Sequence, residues 1–204
     1  MRIASLILLL SLVFGSSARA ESQEARDDYN RGVIYQSQGR FEEAISEYQK
    51  AIVLEPKYGW TWSNLGNTWL SLGKVEEAIE CFHRAIEIDP LDPTFHNNLG
   101  YAYSRQGKLD SARSEYEGAV SLYPNYAASL FNLACLHSLQ GDLDLSLSFL
   151  ERAVEKGFID FEFIKQEEDL AGLRSNPRYQ ELLVRQGSRQ IEPFLPKSGE
   201  DPER

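Results

Sequence analysis

Apolar and small residues recur at every third or fourth position over short stretches of the chain. Leu65, Gly66 and Trp69 follow this spacing, which places them on one stripe of a helix. Ala78 and Phe82 repeat it a few residues later and indicate a second helix. The pattern predicts short helices packed in pairs, with the small residues Gly66 and Ala78 allowing the two helices of a pair to approach closely.

Glycine and proline mark the ends of the predicted helices. Gly73 follows the first helix of the pair, at the position where a left-handed backbone favours glycine. Pro90 follows the second helix, and proline cannot continue a helix because it has no N–H to donate. Asp92 and Pro93 then form an N-cap and first-turn pair for the next helix. The chain therefore predicts helix, turn, helix and stop as one unit.

This unit recurs with an offset of 34 residues. The central copy carries Trp62, Leu65, Gly66, Trp69, Gly73, Ala78, Phe82, Ala85 and Pro90. The copy after it carries His96, Leu99, Gly100, Tyr103, Gly107, Ala112, Tyr116, Ala119 and Pro124. The copy before it carries Asp28, Arg31, Gly32, Tyr35, Gly39, Ala44, Tyr48, Ala51 and Pro56. Because one helix pair cannot bury its apolar face alone, neighbouring pairs are predicted to stack.

The spaced residues and their period resemble the tetratricopeptide repeat (TPR) family. The resemblance implies an all-α, right-handed superhelical solenoid of about four helix-turn-helix repeats with a helical C-terminal cap. It also implies a binding scaffold for proteins or peptides, with no catalytic activity and no cofactor.

The frame of 34 residues predicts the following segments along the chain. They are a signal peptide at 1–20, repeats at 25–58, 59–92, 93–126 and 127–160, a C-terminal helical cap at 161–186 and a disordered tail at 187–204. Asp28 and Arg31 are polar where the next repeat is apolar, as expected at the end of an array. The fourth repeat has diverged, and Ser146 brings a hydroxyl to the closest helix contact.

The N-terminus has the layout of a secretory signal peptide. The stretch 3–14 is apolar apart from Ser5 and Ser11, and the A-x-A sequence at 18–20 predicts cleavage before Glu21. The apolar run is shorter than the roughly 20 residues that a membrane-spanning helix needs. We therefore expect export to the periplasm or the extracellular space, without stable membrane insertion.

The net charge of the chain indicates which classes of molecule are disfavoured as its partners. The formal net charge is −10 at pH 7, which repels phosphate backbones and anionic lipid surfaces. Nucleic acid is therefore excluded as the expected partner. Solvated outer helix faces explain such a balance, and an acidic surface that recruits a basic partner stays open beside them.

Residues that could carry catalysis or bind a metal are few. His96 and His137 stand at stripe positions that hold aromatic residues in other repeats, so core packing is the expected role, and His83 is expected to be solvated. The chain contains no H-E-x-x-H and no C-x-x-C motif. Cys81 and Cys135 fall in different repeats, so two separate buried thiols are predicted rather than a disulfide. No catalytic residue and no metal site are predicted.

Asparagine stands at one position of every predicted first helix. The four residues are Asn30, Asn64, Asn98 and Asn132. An amide offers both donors and an acceptor, which suits the backbone of an extended peptide, and the family resemblance implies that role. The alternative is that each asparagine contacts the neighbouring helix and fixes the angle between repeats. The sequence leaves the two roles open.

Aromatic residues accompany the asparagines on the predicted concave surface. They are Tyr29, Trp60, Tyr101 and Phe131. Together with the four asparagines and Asn67 they form the predicted partner-binding set, and they favour apolar side chains in an extended ligand. Packing between adjacent first helices is the alternative role for the aromatic rings.

Some family members clamp a C-terminal carboxylate with lysine and arginine in this groove. In the second to fourth repeats the matching positions hold Ser63, Asn67, Asn98, Ala128 and Asn132. Counted from the first repeat, they hold Tyr29, Val33, Asn64, Thr94 and Asn98. Neither set contains a cation, which disfavours binding of that kind.

The sequence thus predicts an exported, non-catalytic scaffold that binds an extended protein segment. Two alternatives stay open. One is a structural protein that associates with its own copies into a homo-oligomer. The other is a small enzyme or ligand carrier, which would need a cluster of polar residues that the sequence does not show.

Overall fold

A computed structural model of the chain describes residues 22–158 and 160–189. These residues form α-helices and one 3-10 helix, and they contain no β-strand. The helices are α1 (22–37), α2 (Phe41–Leu54), α3 (Gly59–Ser71), α4 (Val75–Ile88), α5 (Pro93–Arg105), α6 (Leu109–Leu122), α7 (Ala127–Leu139), α8 (Leu143–Glu155), α9 (Phe161–Gln166), the 3-10 helix (Glu168–Leu173) and α10 (Pro177–Arg189). The predicted all-α fold of repeated helix pairs is confirmed.

Two predicted segments fall wholly or mostly outside the described residues. The signal peptide at 1–20 lies outside them entirely. The tail predicted from residue 187 overlaps them at its start, where α10 continues to Arg189. Within the described part of the chain, no helix combines the length and apolar character that crossing a membrane requires.

The chain divides into two compact units, Met1–Pro124 and Asn125–Arg204. Among the described residues, the first unit contains α1 to α6 and the second contains α7 to α10 with the 3-10 helix. In the first unit α2 packs on α3 and α4 packs on α5, so that each helix pair packs on the next. The predicted stacking of pairs is therefore present within this unit.

Glycine ends the first helix of each pair. Gly39, Gly73, Gly107 and Gly141 have φ angles of 72°, 74°, 78° and 80°, in the left-handed region that side chains disfavour. In the second pair the Gly73 amide then donates to the Leu70 carbonyl at 3.0 Å. These turns are confirmed where the sequence predicted them.

Each second helix of the first unit places an aromatic ring directly on a glycine of the first helix. The pairs are Gly32 with Tyr48, Gly66 with Phe82 and Gly100 with Tyr116. A Cβ atom at Gly66 would lie 2.7 Å from Cε1 of Phe82, closer than side chains approach one another. The small residue in the first helix is therefore a requirement of the packing.

The polar residues that replace apolar ones in the first pair form an ion-pair network. The Arg31 guanidinium bonds both Asp28 and Glu47, two acids that are themselves buried. Hydrogen bonds to Glu47 from Lys50 and then from Arg31 lower the pKa of that carboxyl group. The charges on this end of the first unit are thus paired within the protein.

The second unit fills its core from the chain that follows α8. Ser146 Oγ donates to the Ala134 carbonyl at 2.7 Å, which satisfies the hydroxyl at the close contact between α7 and α8. The 3-10 helix packs on α7 and buries Leu170 and Leu173 completely. Tyr179 of α10 is buried beside it and donates from its hydroxyl to a backbone carbonyl of α9 at 3.1 Å.

Candidate functional site

Charged residues are rare in the first helices of the second and third pairs. Asp, Glu, Lys and Arg are absent from α3, and α5 carries only Arg105 among these residue types. The second helices hold the acidic residues instead, for example Glu42 and Glu43 in the first turn of α2 and Glu76 and Glu77 in that of α4. The accessible residues of α3 and α5 are therefore mostly amide and aromatic groups, whereas α1 adds the exposed charges of Glu24, Arg26, Asp27 and Arg31. We call the accessible residues of these three helices the first-helix surface.

Two of the predicted asparagines join adjacent first helices. The Asn64 Nδ2 donates to the Tyr29 hydroxyl at 3.1 Å, and the Asn98 Nδ2 donates to Ser63 Oγ at 3.1 Å. These contacts link α1 to α3 and α3 to α5, so both asparagines have a structural role. An amide has two N–H donors and an oxygen acceptor, so one such bond uses only part of its capacity.

The remaining asparagines of the predicted set differ in exposure. Asn30 is exposed on α1, and Asn67 is half-buried on α3. Asn132 is half-buried on α7, which belongs to the second unit. The first unit thus contains four of the five predicted asparagines.

Two large aromatic residues are accessible on the first-helix surface. The Trp60 side chain is 39% exposed, and one edge of its ring meets Phe95 with the ring centroids 5.2 Å apart. Tyr101 is 43% exposed, and the Arg105 guanidinium lies 6.0 Å from its ring centroid. Both rings are partly exposed, which leaves them accessible to a ligand.

Phe131 is not available to a partner, and its prediction as a binding residue is corrected. Its side chain is only 4% exposed. It stacks on Phe158 with ring centroids 4.2 Å apart and touches Phe163 at 5.6 Å. The cause is the chain after α8, where Phe158 stands in the place of the closing proline of earlier repeats and Phe163 follows in α9. Phe131 therefore belongs to the core of the second unit.

A pocket of about 370 Å³ lies between α1 and the start of α3, and we call it the ring pocket. It is lined by Ala25, Arg26, Tyr29, Asn30, Ala51, Glu55, Tyr58 and Thr61. Ala25, Ala51 and Thr61 are buried, whereas Tyr58 is exposed and meets Tyr29 edge to face with the centroids 5.5 Å apart. The pocket thus combines small buried side chains with two tyrosine rings.

The ring pocket contains polar groups of three kinds, namely a phenol, two side chains of opposite charge and an amide. Burial raises the pKa of Tyr29, so its phenol stays protonated at neutral pH. Arg26 and Glu55 contribute one charge of each sign to the lining, and Asn30 contributes an amide. Sequence reasoning identified Tyr29 and Asn30 as binding residues but not the other six lining residues, because it considered only the predicted concave surface of the first helices as a binding site.

The histidines have structural partners. His96 Nε2 lies 3.0 Å from the Pro90 carbonyl, the same contact that Trp62 makes to the Pro56 carbonyl at 3.0 Å one repeat earlier. His96 Nδ1 lies 2.8 Å from the Glu115 carboxylate. His96 therefore takes the structural place of a tryptophan. Throughout the described residues, no group of three or more His, Cys, Asp or Glu side chains is placed to hold a metal ion.

The two thiols are buried and separate. Cys81 and Cys135 are both free and both buried, which confirms the sequence prediction. Burial raises the pKa of Cys81 to about 12 and raises that of Cys135 as well. Because the thiolate is the reactive form, neither residue has the properties of a nucleophile at neutral pH.

Comparisons with solved structures identify TPR proteins as neighbours of similar fold. A crystal structure of MamA protein aligns with a TM-score of 0.65 and 22% identity, over 85% of this chain and 98% of that one. MamA 41-end from Desulfovibrio magneticus RS-1 aligns with a TM-score of 0.60 and 19% identity, over 76% and 93%. The first TPR of Spaghetti (RPAP3), bound to the HSP90 peptide SRMEEVD, aligns with a TM-score of 0.52 and 23% identity, over 64% and 95%.

Family comparisons agree with the geometry of the helix pairs. No curated protein matches the chain. The family described as "TPR repeat" matches residues 32–70 and 69–107, and that described as "Tetratricopeptide repeat" matches residues 92–156. The matches together span more than half of the 204 residues. The chain therefore belongs to the tetratricopeptide repeat family.

Proposed function

We propose that this chain is an exported, non-catalytic scaffold that binds an extended segment of a partner protein on its first-helix surface. The observation that carries the proposal is the chemistry of that surface, where uncharged amides lie beside the exposed rings of Trp60 and Tyr101. Family members are generally non-catalytic scaffolds for proteins or peptides. One structural neighbour was solved with a peptide bound.

The scarcity of charge on α3 and α5 favours one kind of ligand over another. Amide groups bind a peptide backbone, and open aromatic rings bind apolar side chains. The positions at which some relatives hold a terminal carboxylate carry no lysine or arginine here. We therefore favour an extended segment with apolar side chains over an acidic C-terminal tail.

Replacing both bridging asparagines tests the binding role of the first-helix surface. The Asn64→Ala/Asn98→Ala variant is expected to weaken capture of the partner by about tenfold or more, because it removes two amides from the proposed backbone contacts. The measurement is affinity for a partner captured by the mature protein and identified by mass spectrometry. Circular dichroism of the variant reports whether the helices persist.

Two controls separate binding from folding. Asn125→Ala changes an exposed asparagine outside the first helices and should leave affinity unchanged. Trp60→Ala/Tyr101→Ala should weaken binding even where the asparagines act only between helices. Unchanged affinity in both double variants, with helix content preserved, would contradict the proposal. A molecular size that grows with protein concentration would favour the self-association alternative.

Export makes a separate prediction about the N-terminus. The mature protein is expected to begin at Glu21, because the A-x-A sequence at 18–20 is the pattern that signal peptidase cleaves. Expression of the full chain in its own host, followed by fractionation and N-terminal sequencing, measures this. Recovery of the protein in the cytoplasm with residues 1–20 intact would contradict export and leave the binding role untouched.

A further inference from the structure

The space between the second and third helix pairs is filled by one phenylalanine. Phe95, the third residue of α5, is 1% exposed. Its ring meets Trp60, and a Cβ atom at Gly59 would lie 2.9 Å from its Cε2. The same Cβ position lies 3.4 Å from the Ala85 carbonyl, so the start of α3 lies against the end of α4 beside this ring.

The equivalent space between the first and second helix pairs is the ring pocket. With the offset of 34 residues, Thr61 stands in the place of Phe95. Ala25, Arg26 and Ala51 stand in the places of Gly59, Trp60 and Ala85. Thr61 and these three residues all line the pocket of about 370 Å³. A site that the protein fills with its own aromatic ring in one interval is therefore lined by a smaller side chain in the other.

We propose that the ring pocket binds a phenylalanine side chain of the partner segment, an inference that rests on the proposed function. Phe95 shows that a benzyl group fits between two helix pairs of this repeat. The edge-to-face contact of Tyr29 and Tyr58 presents ring edges and faces with which a third ring packs favourably. Arg26 and Asn30, also in the lining, supply donors for the carbonyl groups of the same segment.

The position of Ala25 also distinguishes the pocket from its filled counterpart, in addition to the differences at Arg26, Tyr29, Glu55, Tyr58 and Thr61. Ala25 carries a Cβ where Gly59 has none, and that atom meets a ring placed as Phe95 is. A ligand ring must therefore lie slightly farther from α1 than Phe95 lies from α3. Thr61→Phe therefore places a ring in the first interval, and Ala25→Gly removes the Cβ atom that this ring would meet.

N-acetyl-phenylalanine amide is the probe that tests the pocket without the partner. Added to the mature protein, it is expected to shift the methyl NMR signals of Ala25, Ala51 and Thr61 in a saturable manner. N-acetyl-alanine amide should shift them at least tenfold less at the same concentration. No saturable shift with the phenylalanine probe up to its solubility limit would overturn the inference.

A second experiment fills the ring pocket with a side chain of the protein itself. Thr61→Phe and the double variant Ala25→Gly/Thr61→Phe should each lower probe affinity at least tenfold, with circular dichroism unchanged. The double variant keeps the test valid where the single change strains the fold. Asn125→Ala changes an exposed residue outside the pocket lining and should leave probe binding as it is.

Affinity measurements with the partner protein distinguish this inference from the proposed function. For a partner identified by capture, the filled double variant is expected to lose at least tenfold in affinity, and so is a partner segment whose phenylalanine is changed to alanine. Unchanged affinity in the filled variant would overturn the inference while binding on the first-helix surface stands. Loss of affinity only in the Asn64→Ala/Asn98→Ala variant would likewise place the ligand elsewhere on that surface.

Discussion

Replacing Gly66 by leucine is expected to destabilise the first compact unit strongly. A Cβ atom at this position would lie 2.7 Å from Cε1 and 2.9 Å from Cζ of Phe82. Phe82 is fully buried, so its ring cannot move away without displacing α4 or α5. Overpacking of this kind costs about 1–3 kcal/mol and occasionally more. Leucine adds three further carbon atoms beyond the Cβ, so we expect the upper part of that range.

Glycine at position 118 provides a matched control for this prediction. Gly118 lies inside α6, and the nearest atom to a Cβ there would be Nδ1 of His96 at 3.9 Å, an ordinary contact distance. Gly118→Ala should therefore stabilise the protein by about 0.5–1 kcal/mol, since alanine is the better helix former. Gly66→Ala should destabilise it. Urea unfolding followed by circular dichroism measures all three variants, and equal gains at both glycines would contradict the close helix contact.

The helix pairs could be predicted because their determinants are local. Gly73 ends a helix through its own φ angle, and Pro93 begins one through its missing N–H. The pairing of Gly66 with Phe82 could also be predicted from the sequence. A glycine in the first helix and a large aromatic residue in the second recur together with the period of the array. None of these features depends on contacts far away in the chain.

The exposure of individual rings could not be predicted from the repeat. Phe131 has the same register as other groove residues, yet Phe158 and Phe163 cover it. Phe158 replaces the closing proline of the earlier repeats, and Phe163 belongs to α9, which follows the last repeat. The bond from Asn64 to Tyr29 was one of two alternatives, because an amide suits both a neighbouring helix and a ligand. Distinguishing them needs distances, which a period does not contain.

The ring pocket was missed for a different reason. The repeat was identified from the residues that recur, whereas the pocket arises where a residue does not recur. Thr61 and Phe95 lie 34 positions apart and differ by an aromatic ring, but neither belongs to the marker positions of the pattern. This site can be found from the sequence by comparing every position across the repeats, and not only the positions at which the residue type recurs.

Removing the ring of Phe95 is expected to cost the largest single loss of stability among these variants. Phe95→Ala takes away a fully buried aromatic side chain and leaves a cavity between the second and third helix pairs. Changes from phenylalanine to alanine in protein cores cost about 3–5 kcal/mol, because transfer free energy and packing contacts are lost together. Trp60, whose edge rests on Phe95, should then become more mobile, which its fluorescence reports.

Phe163→Ala is the matched control, because the same atoms are removed from a side chain that is 46% exposed. Urea unfolding should show a clearly smaller loss for this variant than for Phe95→Ala. N-acetyl-phenylalanine amide should in turn recover part of the lost stability of Phe95→Ala, since binding to the folded state alone stabilises it. Equal losses at Phe95 and Phe163 would contradict the description of the second interval as filled by a ring. The interpretation of the first interval as its open counterpart would then lose its basis.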